Sequence, residues 1–125
     1  MRLSVANKAK QKGTSFETLI KDYLNESGFL DAHRTALKSG EDTGDINGIR
    51  NGLTGKKVAI QCKNQKSHDL SGWLNATVEQ ADRLGDGLPV LVVKRIGKGK
   101  AAIGDNYAVM RLDDLIDLLK VGGFF

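Results

Sequence analysis

The sequence predicts an α/β fold in which helices pack on a mixed β-sheet. Three observations carry that expectation. Phe16, Leu19, Ile20, Tyr23 and Leu24 recur at i, i+3, i+4, i+7 and i+8, the apolar stripe of a helix. Residues 56–63 alternate, with Val58, Ile60 and Cys62 on one face and Ala59, Gln61 and Lys63 on the other, which is the period of a strand. Residues 89–93 form a continuous apolar run after a second helical segment, the pattern of a strand buried on both faces and central in a sheet.

Each element follows in order. Residues 1–12 carry Arg2, Lys8, Lys10 and Lys12 without an acid and are expected to form a mobile basic arm. The first helix is expected over about 15–26, opened by a capping box from Thr14 to Glu17 and closed at Ser27-Gly28. Short strands are expected at 32–38, 44–50 and 56–63. The turn 51–55 suits a hairpin between the last two. A second helix is expected over about 71–84, with Trp73, Ala76, Thr77, Gln80, Ala81 and Leu84 on one face, followed by the strand at 89–93. Gly97 to Gly104 reads as a basic turn and 106–111 as a further strand. Leu112, Leu115, Ile116 and Leu119 mark a last helix with Asp113 and Asp114 at its positive end. The order is α-β-β-β-α-β-β-α.

The length of 125 residues fits a single domain over 1–125. One cysteine excludes an intramolecular disulfide and a Cys-cluster zinc site and points to a reducing, intracellular setting. No apolar run approaches a membrane span, so a membrane partner is not expected. The net charge of +4 is modest, but its placement is not even. Residues 1–12, 56–66 and 94–100 are basic and acid-free, whereas Glu41, Asp42 and Asp45 share one loop. Basic tracks around an acidic loop suit a phosphate-binding surface that contains a metal site.

Pairing of 44–50 with 56–63 can bring Asp45 to Gln61 and Lys63 at a sheet edge. An acid, an oxygen ligand and a lysine there suit Mg²⁺ and a phosphodiester, since Mg²⁺ takes few protein oxygens and fills its sphere with water and phosphate. Plainer roles stand beside these. Glu17 can be the capping-box partner, Asp45 a turn residue, and Glu41 or Asp42 the ligand instead. Gln61 and Lys63 can form a solvated polar face. Cys62 reads as a small packing residue, Trp73 as a packing residue of its helix, and His33 and His68 as surface or packing residues.

Asp45 followed by Gln61-Cys62-Lys63 resembles the motif of the PD-(D/E)xK nucleases, and within them the small Holliday junction resolvases of archaea and some phages. The resemblance runs from Lys12 to about Ile96. It includes Lys12-Gly13, Glu17, Gly28-Phe29, Arg34, Ser39-Gly40, Gln80 and the strand at 90–93. It implies a restriction-endonuclease-like αβββαβ core and a Mg²⁺-dependent endonuclease, with Mn²⁺ able to substitute. The substrate implied is branched DNA, especially four-way junctions, cut by a homodimer to leave 5′-phosphates. Glu17, Asp45, Gln61 and the Cys62 carbonyl would hold the metal, Lys63 would assist catalysis, and Ser39 would support it from a loop that reaches the DNA. Lys12, Arg34, Lys38 and Lys66 are the candidate phosphate contacts. The setting implied is cytoplasmic, compatible with a phage protein acting in its host cell. Two departures stand out: Thr43-Gly44 precedes Asp45 where proline is usual, and Gln61 replaces an acid, which lowers the expected Mg²⁺ affinity. Another repair or restriction-type endonuclease, or a non-catalytic branched-DNA-binding module, is the alternative.

Overall fold

A computed structural model describes residues 5–36 and 41–125. Helix α1 (Val5–Glu26) leads into strands β1 (His33–Arg34), β2 (Ile46–Asn47) and β3 (Val58–Lys63). Helix α2 (Leu70–Asp82) then crosses to β4 (Leu88–Val93). A kinked 3₁₀ segment (Lys100–Asp105), β5 (Tyr107–Val109) and α3 (Leu112–Val121) complete the chain. The five strands form one sheet in sequence order. β3 and β4 are parallel and the other pairs antiparallel, so the sheet is mixed as the sequence predicts. Parallel pairing of β3 with β4 requires a crossover, and α2 supplies it.

The two faces bury different residues. Phe16 and Ile20 of α1 pack with Ile46, Ile60 and Cys62, so Cys62 is the small packing residue expected of it. On the opposite face Ala59, Leu91 and Val93 are fully buried beside Thr77 and Ala81 of α2. β4 lies between β3 and β5. Its alternate residues Pro89, Leu91 and Val93 are buried, and Leu88, Val90 and Val92 are half-buried, so one of its faces is less covered than the apolar run implies.

Three boundaries differ from expectation. α1 begins at Val5, not near Ser15, because residues 5–12 are mostly good helix formers and Gly13 interrupts them at a cost of only ~1 kcal/mol. Residues 5–12 are therefore helix, and the capping box does not form. Thr14 is inside the helix, where its carbonyl accepts the Thr18 hydroxyl at 3.0 Å. The 44–50 strand shrinks to Ile46–Asn47 plus an isolated bridge between Arg50 and Lys57, because Gly44 and Gly48 take φ of +102° and +99° and interrupt the ladder. β1 is correspondingly reduced to the two residues that pair with it. The hairpin turn holds, with Asn51 N–H donating to Lys56 C=O at 2.8 Å. α3 forms where expected with its acids in the first turn, yet its apolar stripe is left open: Leu112 is 70% exposed and Leu115, Ile116 and Leu119 about 40%. No helix among the described residues is long and apolar enough to cross a membrane.

Candidate active site

The residue that organises the sheet edge is Asp45. Gly44 before it is buried, and a Cβ there would lie 3.1 Å from the Ile60 carbonyl, so the close approach to β3 requires glycine at this left-handed φ. Asp45 N–H then donates to Ile60 C=O at 2.8 Å, and Asp45 C=O accepts from Thr35 N–H at 2.9 Å. The backbone is held on both sides. One carboxylate oxygen, Oδ2, accepts from Cys62 N–H at 2.8 Å, which aims the side chain along β3. Burial pushes the Asp45 carboxyl up from 3.8 to about 6, and the charges of Glu17 and Asp42 push the same way. The Cys62 N–H and the Lys63 ammonium oppose that rise without cancelling it. The Cys62 thiol is also pushed up, by burial first and by Asp45 and Glu17 second, so it is inert as a nucleophile.

Glu17 reaches this edge from α1. Its Oε2 accepts from Arg34 Nη2 at 3.2 Å and Nε at 3.3 Å. Arg34, expected to contact phosphate, is thus the partner of Glu17 across α1 and β1. Both side chains keep solvent contact, so the pair contributes less than ~1 kcal/mol and is open to exchange.

Gln61 is 9% exposed, not a solvated polar face. Its Oε1 stands 2.8 Å from the Thr77 hydroxyl, which is also 2.7 Å from the Trp73 carbonyl. The hydroxyl has one proton. Both contacts are satisfied together when that proton goes to Trp73 C=O and the Gln61 amide is turned so that its NH₂ donates to Thr77, which frees the amide oxygen. Lys63, two residues on and on the same face, is half-buried with Nζ 5.6 Å from the Trp73 ring centroid.

Asp45, Glu17, Gln61 and Lys63 are therefore drawn toward the end of β3. Lys12 lies exposed in the first turns of α1, and Lys66 lies exposed in the loop after β3. Ser39 and Lys38 fall outside the described residues. Asp42, weighed as an alternative ligand, is tied to α2: its Oδ2 accepts from Gln80 Nε2 at 3.0 Å and its carbonyl from Arg83 at 2.8 Å. Its Oδ1 accepts from Gly44 N–H at 2.9 Å and shapes the approach to Asp45. Sequence reasoning assigned no role to Thr77 or Arg83. The spacing of Gln80 and Arg83 on one turn of α2 was the available signal. His33 bonds the Asp31 carbonyl and His68 packs on Trp73, consistent with surface and packing roles. Two surface cavities of about 290 and 310 Å³ lie beside the hairpin, and neither is lined by these four residues, so the site is an open edge.

The donor set fits a hard divalent cation. Two carboxylates, one of them half-buried and raised in pKa chiefly by desolvation and further by the neighbouring acids, present oxygens whose charge a cation would offset in place of a proton. Among the described residues no three His, Cys, Asp or Glu side chains converge as a metal-holding group, and position 61 carries an amide, not an acid. A cation here would rest on fewer charges and on more water and phosphate. No curated protein matches the chain. Residues 9–101 match the restriction endonuclease family model Mrr_cat, a match that runs from within α1 to the start of the 3₁₀ segment and includes every residue just described.

Proposed function

The chain belongs to the restriction endonuclease family, of the PD-(D/E)xK type, and from that premise we propose that it is a divalent-metal-dependent endonuclease that cuts four-way DNA junctions as a homodimer. The observation that carries the nuclease reading is Asp45: an acid buried at a sheet edge, raised in pKa toward 6, facing Glu17 and flanked by Lys63. A buried carboxylate with so little compensation is costly in a structural role and useful where a cation is to be held.

Asp45 and Glu17 would hold the metal through carboxylate oxygens, Gln61 through its amide oxygen and Cys62 through its carbonyl. When bound, a divalent cation supplies Lewis acidity and neutralises charge on the phosphate. The Cys62 N–H keeps Asp45 in one orientation, so the acid needs no reorganisation to engage. Lys63, anchored over Trp73, donates to a non-bridging phosphate oxygen and orients the attacking water. Arg34 holds Glu17, and with Glu17 engaged as a metal ligand Arg34 would be free to contact phosphate together with Lys12 and Lys66. Lys38 would join these phosphate contacts, and Ser39 would support catalysis. Mg²⁺ serves as cofactor and Mn²⁺ substitutes.

One observation favours a second reading. The Arg34–Glu17 pair and the amide at 61 both reduce the anionic charge available to a metal, as a binding module without catalysis would tolerate. Incubation of the protein with a four-way junction, a linear duplex and single-stranded DNA, with Mg²⁺, Mn²⁺ or chelator, separates the two. Paired, metal-dependent nicks near the branch point support the resolvase. Cutting of linear duplex with equal efficiency supports a restriction-type or repair nuclease. Tight junction binding without cutting under any metal leaves the binding module.

A further inference from the structure

The chain is poor in aromatic residues, with one tryptophan and two tyrosines, yet the tryptophan and one tyrosine stand together beside Lys63. Trp73 of α2 lies 5.9 Å from His68, ring centroid to centroid, tilted by 53°. His68 lies 6.4 Å from Tyr107 of β5 at 80°. The Arg95 guanidinium sits 5.7 Å from the Tyr107 ring centroid at the far end, as Lys63 Nζ sits over Trp73 at the near end. A strip of three rings bracketed by two cations therefore crosses the ends of β3 and β4 and the start of β5.

This strip is not core. Tyr107 is 46% exposed, His68 and Arg95 are exposed, and Trp73 is half-buried. The His68–Trp73 pair is tilted and the His68–Tyr107 pair meets edge to face, so no two rings of the strip are stacked face to face. Neither Lys63 nor Arg95 has a carboxylate within ion-pairing distance among the described residues. Aromatic faces flanked by unpaired cations bind unstacked bases and their phosphates, whereas bases paired in a duplex keep their faces covered. The strip also starts at the residue that would contact the scissile phosphate.

We propose that this strip binds unpaired nucleotides of the cut strand, Trp73, His68 and Tyr107 stacking on bases while Arg95 contacts the backbone, so that DNA with unpaired bases beside the scissile phosphate is the preferred substrate class. The proposal rests on the nuclease reading for its placement but not for its test. Trp73, being the sole tryptophan, reports directly. In chelator, where no cutting occurs, titration with a short oligothymidylate should quench its fluorescence, and a blunt duplex at equal nucleotide concentration should not. Tyr107→Ala should weaken oligothymidylate binding about tenfold and leave duplex affinity within about twofold, with Tyr107→Phe restoring the parent value. Absence of quenching by oligothymidylate in the parent protein overturns the proposal, as does an equal loss of duplex binding in Tyr107→Ala. Quenching without metal-dependent cutting of any DNA would overturn the nuclease reading and leave the strip standing. Cutting without quenching would do the reverse.

Discussion

At the scale of single residues, Asp45 carries a stability penalty that should be measurable. Its folded pKa of about 6 lies above the 3.8 of an unperturbed aspartate, so between those values the folded chain binds the extra proton. The contribution is therefore neutral below pH 3.8, turns unfavourable as pH rises through 6, and reaches about 1–3 kcal/mol above it, after allowance for partial exposure. Asp45→Asn removes the charge and can still accept from Cys62 N–H. In chelator at pH 8 it should raise the melting temperature, and the gain should shrink to nothing as pH falls below 4. The same variant should cut no DNA while binding junctions nearly as the parent does, and Lys63→Ala should behave likewise in cutting and binding. A melting temperature for Asp45→Asn that stays at or below the parent value across the range would mean that Asp45 is a structural residue. Gln61→Glu adds a carboxylate on β3 next to Cys62, whose N–H holds Asp45. We expect it to lower the Mg²⁺ concentration for half-maximal cutting about tenfold and to destabilise the chelated protein. Inactivation in a folded protein would remove Gln61 from the metal site.

At the scale of elements, the site depends on ties between segments distant in sequence. Gln80 and Arg83 of α2 hold Asp42, and Asp42 holds Gly44 N–H in front of Asp45. Gln80→Ala breaks the first tie inside a buried setting and should cost about 1–2 kcal/mol by chemical denaturation. It should also reduce cutting at saturating metal with little change in DNA affinity. An unchanged turnover would show that the loop needs no support from α2. These ties explain what could and could not be read from the chain. The hairpin, the crossover helix and the two-faced alternation of β3 were legible, because periodicity and turn glycines act locally. The approach of Asp45 to β3 near Lys63 followed from that pairing. The start of α1 was not legible, since Thr14-Ser15-Phe16-Glu17 carries a capping signature that eight preceding helix-compatible residues override. The Glu17–Arg34 pair, the Thr77 contact to Gln61 and the exposed stripe of α3 were hidden as well. Each depends on which faces meet after folding, and no local pattern encodes that.

At the scale of the whole molecule, one chain presents one candidate site, so symmetric cuts in a junction require two chains. The surface best suited to bring them together is α3 and the residues after it. Leu112, Val121 and Phe124 are each 70% exposed or more, and Ile116 and Leu119 nearly 40%. The helix buries Asp114 in an ion pair with Arg111 at 2.8 Å and leaves apolar side chains to water, the reverse of a finished surface helix. Docked antiparallel on its own copy, such a stripe is self-complementary about a two-fold axis. We therefore expect the protein to sediment as a dimer at micromolar concentration and Ile116→Asp with Leu119→Asp to sediment as a folded monomer. On a four-way junction the parent should release paired cuts within one binding event, whereas the monomeric variant should release single nicks first and the second cut only at a rate that depends on protein concentration. A monomeric parent that still delivers paired cuts would place the symmetry in the DNA and not in the protein. A variant that stays dimeric would move the interface away from α3.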